Sequence, residues 1–183
     1  MAQQSITVDS SAATPNFVTQ CLDPNATGLY SFTAFDLAGV VAANNYVSLF
    51  NPSGSTKTLH LYSLTYSAYI AAASSTTKNS MIVTRVTTAS AGTLQAASAI
   101  NKFRTGYANP VAEVRVGNPT VTLDGNIIAF APGTTPGGYP GDRVLTSSPG
   151  GSVALAANEG IVWRTIAGDT DGNFNISFTW SET

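Results

Sequence analysis

The last strand-like segment of the chain constrains the fold most. Residues 173–180 read NFNISFTW, a strict alternation of polar and apolar side chains. Successive side chains of a β-strand point to opposite faces, so the pattern predicts a strand with one face buried and the other toward water. Such half-buried strands are typical of antiparallel sheets. The buried face is made of Phe174, Ile176, Phe178 and Trp180.

Similar short runs, rich in β-branched and aromatic residues, precede this segment and are separated by turn signals. They predict strands over residues 28–35, 45–50, 57–70, 81–87, 111–116, 127–130, 152–157 and 161–167. Residues 168–172 read GDTDG and predict a hairpin loop. Strands of this number and spacing predict an all-β antiparallel β-sandwich or jelly roll, a single domain over residues 28–183.

Two of the earlier segments predict specific local features. In residues 57–70 the apolar side switches, since Leu59 and Leu61 share one parity while Leu64 and Tyr66 share the other. One extra residue in a strand has this effect, which predicts a β-bulge near Ser63. Residues 93–101 place apolar side chains three positions apart and predict the one helical segment of the chain.

Two segments outside the predicted strands supply the candidate contact residues. Residues 1–27 lack strong periodicity and predict an extended N-terminal arm that either packs on its own domain or reaches a neighbour. Residues 132–141 are too rich in Pro and Gly for a regular element and predict a long exposed loop, where binding function commonly lies. The interaction candidates are Phe17, Val18 and Leu22 in the arm and Tyr139 in the loop.

Charge is scarce, which excludes several classes of protein. Charged residues make up 10% of the 183, the formal net charge is −2, and only three lysines are present. Soluble domains usually carry about 25% charged residues. Without a basic surplus we expect no nucleic-acid partner, and without an apolar run of about 18 residues we expect no membrane span. Hydroxyl and amide side chains take the place of the missing charges.

The chemistry-bearing residues are too few to form a catalytic site. His60 is the one histidine and alternates with leucines on a predicted strand, and Cys21 is the one cysteine. Nucleophilic catalysis and zinc binding both need more such groups in proximity. Asp169 and Asp171 could hold a weak structural cation, but a plain turn explains them too. We therefore expect no enzyme, no cofactor and no resident metal.

Aromatic residues at strand spacing admit two interpretations. Phe174, Phe178 and Trp180, with Tyr62 and Tyr66, could form a platform on which sugars stack. The same spacing is also typical of side chains that fill a sandwich core, and this second interpretation is favoured.

Three stretches resemble a family of virion proteins. They are NYVSLFNPSGS at residues 45–55, NEGIVWR at residues 158–164 and NFNISFTWSE at residues 173–182. Together they are similar to segments of the head decoration, or cement, proteins of tailed double-stranded DNA phages, over about a quarter of the chain. The resemblance implies a β-sandwich or jelly roll, often a homotrimer, that binds the outside of the capsid where major capsid subunits meet. It implies no catalytic residues.

The sequence leaves other functions open beside this one. Met1 to Ser5 show no signal-peptide pattern, so we expect synthesis in a host cytoplasm and, from the resemblance, a place on the capsid surface of the virion. The alternative is a receptor- or glycan-binding module associated with a tail or fibre. A polysaccharide-degrading enzyme has almost no support in the residues.

Overall fold

The computed structural model describes residues 28–40, 42–70, 81–131, 143–146, 153–168 and 172–183. Within them lie twelve β-strands and one single-turn 3-10 helix at Ala97–Ala99. In the described part of the chain, no helix is long and apolar enough to cross a membrane. The strands are β1 Gly28–Ala38, β2 Asn45–Asn51, β3 Leu59–Ile70, β4 Met81–Ser90, β5 Thr93–Leu94, β6 Asn101–Lys102, β7 Glu113–Val116, β8 Thr120–Ala131, β9 Arg143–Thr146, β10 Val153–Leu155, β11 Glu159–Thr165 and β12 Gly172–Glu182.

The strands form two antiparallel sheets that pack face to face. Sheet A has the order β10–β3–β12–β1–β6, with β9 also paired to β3, and sheet B has the order β5–β7–β2–β11–β4–β8. The pairing is nested, because β1 pairs with β12, β2 with β11, β3 with β10 and β4 with β8. A long hairpin rolled up in this way is a jelly roll. The predicted antiparallel sandwich is therefore confirmed.

The inner faces of the two sheets share one apolar core. The predicted alternation of β12 is confirmed, since Phe174, Ile176, Phe178 and Trp180 are fully buried. Phe178 of sheet A stacks on Trp163 of sheet B with ring centroids 4.9 Å apart. Burying a large apolar side chain stabilises a fold by about 1.5–3 kcal/mol, so this aromatic layer holds the sheets together.

The predicted bulge in β3 is confirmed. Thr179 of β12 pairs with Ser63, but the next residue, Trp180, pairs with Leu61, so Tyr62 is the extra residue. The bulge turns both Leu61 and Leu64 inward, and both are buried. A one-residue insertion is what allows two apolar runs of opposite parity to serve the same core.

The helix predicted over residues 93–101 is wrong. The segment contains β5, the single 3-10 turn and β6, which pair with β7 and β1 respectively. Leu94 is half-exposed at the edge of sheet B, and only Ile100 is buried in the core. Residues 93–101 are too few to stabilise a helix by themselves. Pairing with the edges of the two sheets therefore overrides the three-residue spacing of their apolar side chains.

Residues 168–172 do not close a hairpin, which corrects a second prediction. The strands on either side, β11 and β12, lie in sheets B and A, so they do not pair with each other as a hairpin. β8 is also longer than the predicted 127–130, because it begins at Thr120. Register shifts against β4 interrupt the alternation of β8 and concealed its first half in the sequence.

The last residues of β4 and the first residues of β8 cross the outer face of sheet B. β4 pairs with β11 only as far as Val86, whereas its pairing with β8 continues to Ser90. Ala91 then lies against β7, where its carbonyl accepts a hydrogen bond from Arg115 Nη1 at 3.2 Å. Since β2 and β11 separate β4 from β7 within the sheet, residues 87–90 and 120–122 must cross over them. We call this two-stranded segment the crossing ribbon.

The crossing ribbon covers a second, smaller core. Phe50, Val86 and Val162 point away from the main core yet are buried, and Ala89 and Val121 of the ribbon pack on them. Gly160 lies between the first two, since a Cβ there would be 2.7 Å from Phe50 Cδ2 and 3.0 Å from Val86 Cγ2. The part of the outer face of sheet B that carries Phe50, Val86 and Val162 is therefore an interior surface.

Candidate interaction surfaces

No group of three or more His, Cys, Asp or Glu side chains within the described ranges could hold a metal ion. His60 is half-buried on the side of β3 opposite the leucines, as predicted, with Nε2 3.2 Å from Thr183 Oγ1. The candidate sites among the described residues are surfaces that could bind a partner.

The interaction residues predicted from sequence are not among the described ones. Phe17, Val18 and Leu22 belong to residues 1–27, and Tyr139 to residues 132–142. Asp169 and Asp171 also lie outside the described ranges. These candidates stay predictions.

The aromatic residues considered as a sugar platform form core. Phe174, Phe178, Trp180 and Tyr66 are buried, so their ring faces are closed to a ligand. Tyr62 is half-buried, and its hydroxyl lies 2.9 Å from Ser181 Oγ. The core interpretation is confirmed for the four buried rings, whereas Tyr62 lies outside the core.

The first candidate surface lies where the chain enters β1. The Phe103 N–H donates to the Leu29 carbonyl at 3.1 Å, and Val111 is held next to Glu182, the pairing partner of Gly28. The side chains of Phe103 and Val111 are 57% and 39% exposed. The backbone hydrogen bonds of these two residues thus anchor two exposed apolar side chains near the start of β1. We call Phe103, Val111 and the start of β1 the corner surface.

A buried carboxylate fixes the loop that carries these side chains. Glu182 is 2% exposed, and its Oε1 accepts hydrogen bonds from the backbone N–H groups of Val111 at 3.0 Å and Ala112 at 3.1 Å. The indole Nε1 of Trp180 donates to the same oxygen at 3.3 Å. Several N–H donors offset the cost of burying a charge. Glu182 therefore ties the loop to the last strand.

Tyr30 holds the middle of the same loop. Its hydroxyl donates to the Ala108 carbonyl at 3.1 Å, and its ring lies 6.3 Å from Tyr107 and 5.5 Å from Trp180 between centroids. Burial, then the nearby charge of Glu182 and then Tyr107, raise the pKa of Tyr30 to about 12. Tyr30 thus stays neutral over the whole physiological range and acts as a fixed donor.

Lys102 completes the attachment of the loop. Its Nζ donates to the Tyr107 carbonyl at 3.1 Å and to Asn109 Oδ1 at 2.8 Å. Gly28 lies against Tyr30, since a Cβ at Gly28 would overlap the end of the Tyr30 side chain. The corner surface is therefore built on a rigid support at the point where residues 1–27 join the domain.

The second candidate surface is the outer face of sheet A. Nine side chains from its three long strands are hydroxyls or amides, and all nine are half-exposed. They form a network in which Thr33 Oγ1 lies 2.9 Å from Ser177 Oγ and Asn175 Nδ2 lies 3.3 Å from Ser67 Oγ. We call them the polar face: Ser31, Thr33, Ser63, Thr65, Ser67, Asn173, Asn175, Ser177 and Thr179.

Sequence reasoning missed both surfaces as sites. The signal for Phe103 was a large apolar residue between Lys102 and Arg104, outside any alternating pattern. The sequence signal for the polar face is the polar half of the β12 alternation, which by itself indicates only the side of the strand that faces water. The charge-poor composition has its structural counterpart here, since β1, β3 and β12 contain no lysine or arginine.

Comparisons with known proteins identify no relative. No protein-family model matches the chain, and no similar curated protein or solved structure was found. The resemblance to phage decoration proteins accordingly stays a prediction.

Proposed function

We propose that the protein is a structural virion component of a tailed bacteriophage that decorates the capsid exterior and stabilises it by bridging major capsid protein subunits. The observation that supports this most is the corner surface, where backbone hydrogen bonds anchor two exposed apolar side chains near the point at which residues 1–27 join the domain. An arm and an adjacent apolar contact can engage two neighbouring subunits at once.

Two further observations support the proposal. The jelly roll is an architecture that viral capsid proteins use, although lectin domains use it too. A surface poor in charge can be buried against neighbours with little desolvation cost, and only 10% of this chain is charged. Self-association into a homotrimer belongs to the same proposal, since closed symmetry suits a protein present in many copies.

The test uses expanded phage capsids that lack the protein. The full chain should bind them saturably and raise the temperature at which they release DNA or lose shell integrity. The double variant Phe103→Ser, Val111→Ser should bind at least about tenfold more weakly, because buried anchors dominate interface energies. Removal of residues 1–25 should also reduce occupancy while the far-UV circular dichroism of the sandwich is retained.

Ile127→Ser serves as the matched control, since Ile127 is 61% exposed on β8, away from the corner surface. Capsids that are equally robust with and without bound protein would refute the stabilising role. Equal weakening by the control would refute the assignment to the corner surface. Copy number separates this function from the tail or fibre alternative, because decoration implies hundreds of copies per particle and a tail tip only a handful.

A further inference from the structure

We propose that the end of the polar face around Phe35 is a binding site for a neutral oligosaccharide. The inference does not depend on capsid binding, because Phe35 lies seven residues along β1 from Gly28, roughly 23 Å away in an extended strand. The two surfaces can thus be altered separately.

A β-bulge displays the Phe35 ring. Ala34 pairs with Ile176 and Leu37 with Phe174, so Phe35 and Asp36 together stand opposite Asn175 alone. Asp36 takes the left-handed backbone conformation, with φ of 57°, that completes the bulge. Phe35 has the parity of Thr33, which places it on the outer side of sheet A, and it is 73% exposed. Bulges commonly redirect a side chain at a functional site.

Polar groups around the ring are held in place by one another. The Asp36 N–H donates to Asn175 Oδ1 at 2.9 Å, and Asn173 Nδ2 donates to the Asp36 carboxylate. Asn175 Nδ2 donates to Ser67 Oγ at 3.3 Å. A side-chain amide has two donors and two acceptor sites, so these bonds orient Asn175 without using its full capacity. The result is a set of positioned donors and acceptors next to an exposed aromatic ring.

This combination fits a sugar better than other ligands. A pyranose has an apolar C–H face that can lie on an aromatic ring, and a rim of hydroxyls that both donate and accept hydrogen bonds. Nucleic acids and other polyanions need basic side chains, and β1, β3 and β12 contribute no lysine or arginine. The centre of a protein interface is usually apolar and enriched in aromatic residues, whereas the nine side chains of the polar face are hydroxyls and amides.

The experiment titrates the full-length protein with a panel of neutral gluco-, galacto- and manno-oligosaccharides, followed by NMR chemical shifts and calorimetry. At least one oligosaccharide should shift the resonances of Phe35, Asn173 and Asn175. Phe35→Ala should weaken its affinity at least tenfold and Asn175→Ala severalfold, while Phe35→Trp should retain binding.

Phe103→Ala is the matched control, because it removes an exposed phenylalanine from the corner surface. It should leave sugar affinity unchanged, and unaltered thermal midpoints should show that all variants are folded. The proposal is overturned if no neutral oligosaccharide in the panel binds, if only acidic sugars bind, or if Phe103→Ala weakens binding as much as Phe35→Ala. A Phe35-dependent complex with a purified capsid protein in place of a sugar would also overturn it.

Discussion

The outer faces of the two sheets differ in composition and in what happens to them. Sheet A presents hydroxyls and amides that stay half-exposed, whereas sheet B presents Phe50, Val86 and Val162, which are buried beneath the crossing ribbon. The sheets are otherwise alike, each with long antiparallel strands and a shared inner core. The crossing ribbon, and not composition alone, makes part of a sheet face an interior, since Ser48 and Thr84 lie beside Val162 on that face and are buried too.

The second core also shows how one β-strand can contribute side chains to two cores. β4 contributes Val83 to the main core and Val86 to the second core, and its far end then forms part of the cover. The register shifts between β4 and β8 make this possible, because bulges increase local twist and bend the strands. An edge ribbon that is bent over its own sheet also exposes less backbone to unwanted pairing.

The largest difference is expected from truncating one side chain on each outer face. Phe50→Ala should lower the free energy of unfolding by about 3–5 kcal/mol, because it empties the second core beneath the ribbon. Thr179→Ala on the polar face should change it by less than about 0.5 kcal/mol. Urea unfolding followed by tryptophan fluorescence measures both. Equal losses of unfolding free energy would show that Phe50 is not packed in a core beneath the crossing ribbon.

Adding a methyl group tests the same contrast from the opposite direction. Gly160→Ala should destabilise the protein by about 1–3 kcal/mol, since the new Cβ would lie 2.6 Å from the Leu49 carbonyl oxygen and 2.7 Å from Phe50 Cδ2. Ser177→Thr adds a methyl group to the half-exposed face and should be nearly neutral. Thermal unfolding of the two variants decides the matter. A neutral Gly160→Ala would mean that the second core is loosely packed.

The last prediction concerns the support of the corner surface, where the dependence of stability on pH appears only in alkaline solution. The pKa of Tyr30 is raised from 10.0 to about 12, so the native state holds the phenolic proton more tightly than the unfolded chain. Its contribution to stability is full below pH 10 and is lost as the pH rises toward 12. Tyr30→Phe should flatten the pH dependence of the urea midpoint in this window while both outer faces stay unaffected. A wild-type profile identical to that of the variant would contradict the raised pKa.

Local periodicity predicted most of the strands and even the bulge at Tyr62, because one buried face imposes parity on a strand. The same reasoning failed over residues 93–101, where the deciding interactions are edge pairings with β7 and β1. It failed again at residues 168–172, since a turn pattern does not reveal whether the next strand stays in the same sheet. Distant pairing, and not local preference, sets these features.

The candidate surfaces were harder to predict than the fold. The corner surface depends on Glu182 meeting Val111 and Ala112, which are about 70 positions away in the sequence. The site at Phe35 depends on a bulge that sets Asp36 against Asn175, again far along the chain. Exposure of a phenylalanine is a property of the assembled sheet, so the alternation around Phe35 does not reveal that its ring is exposed, and the charged neighbours of Phe103 are only a weak signal.

The nested pairing has a consequence for how the chain is made. Among the described strands, β1 emerges from the ribosome first and its partner along its whole length, β12, emerges last. Sheet A therefore cannot close until residues 28–182 have all been synthesised, and loop closures this long slow folding. Until then the apolar side of β1 has no lasting cover. The newborn protein should depend on molecular chaperones, or on rapid release, more than a fold of the same size built from neighbouring hairpins.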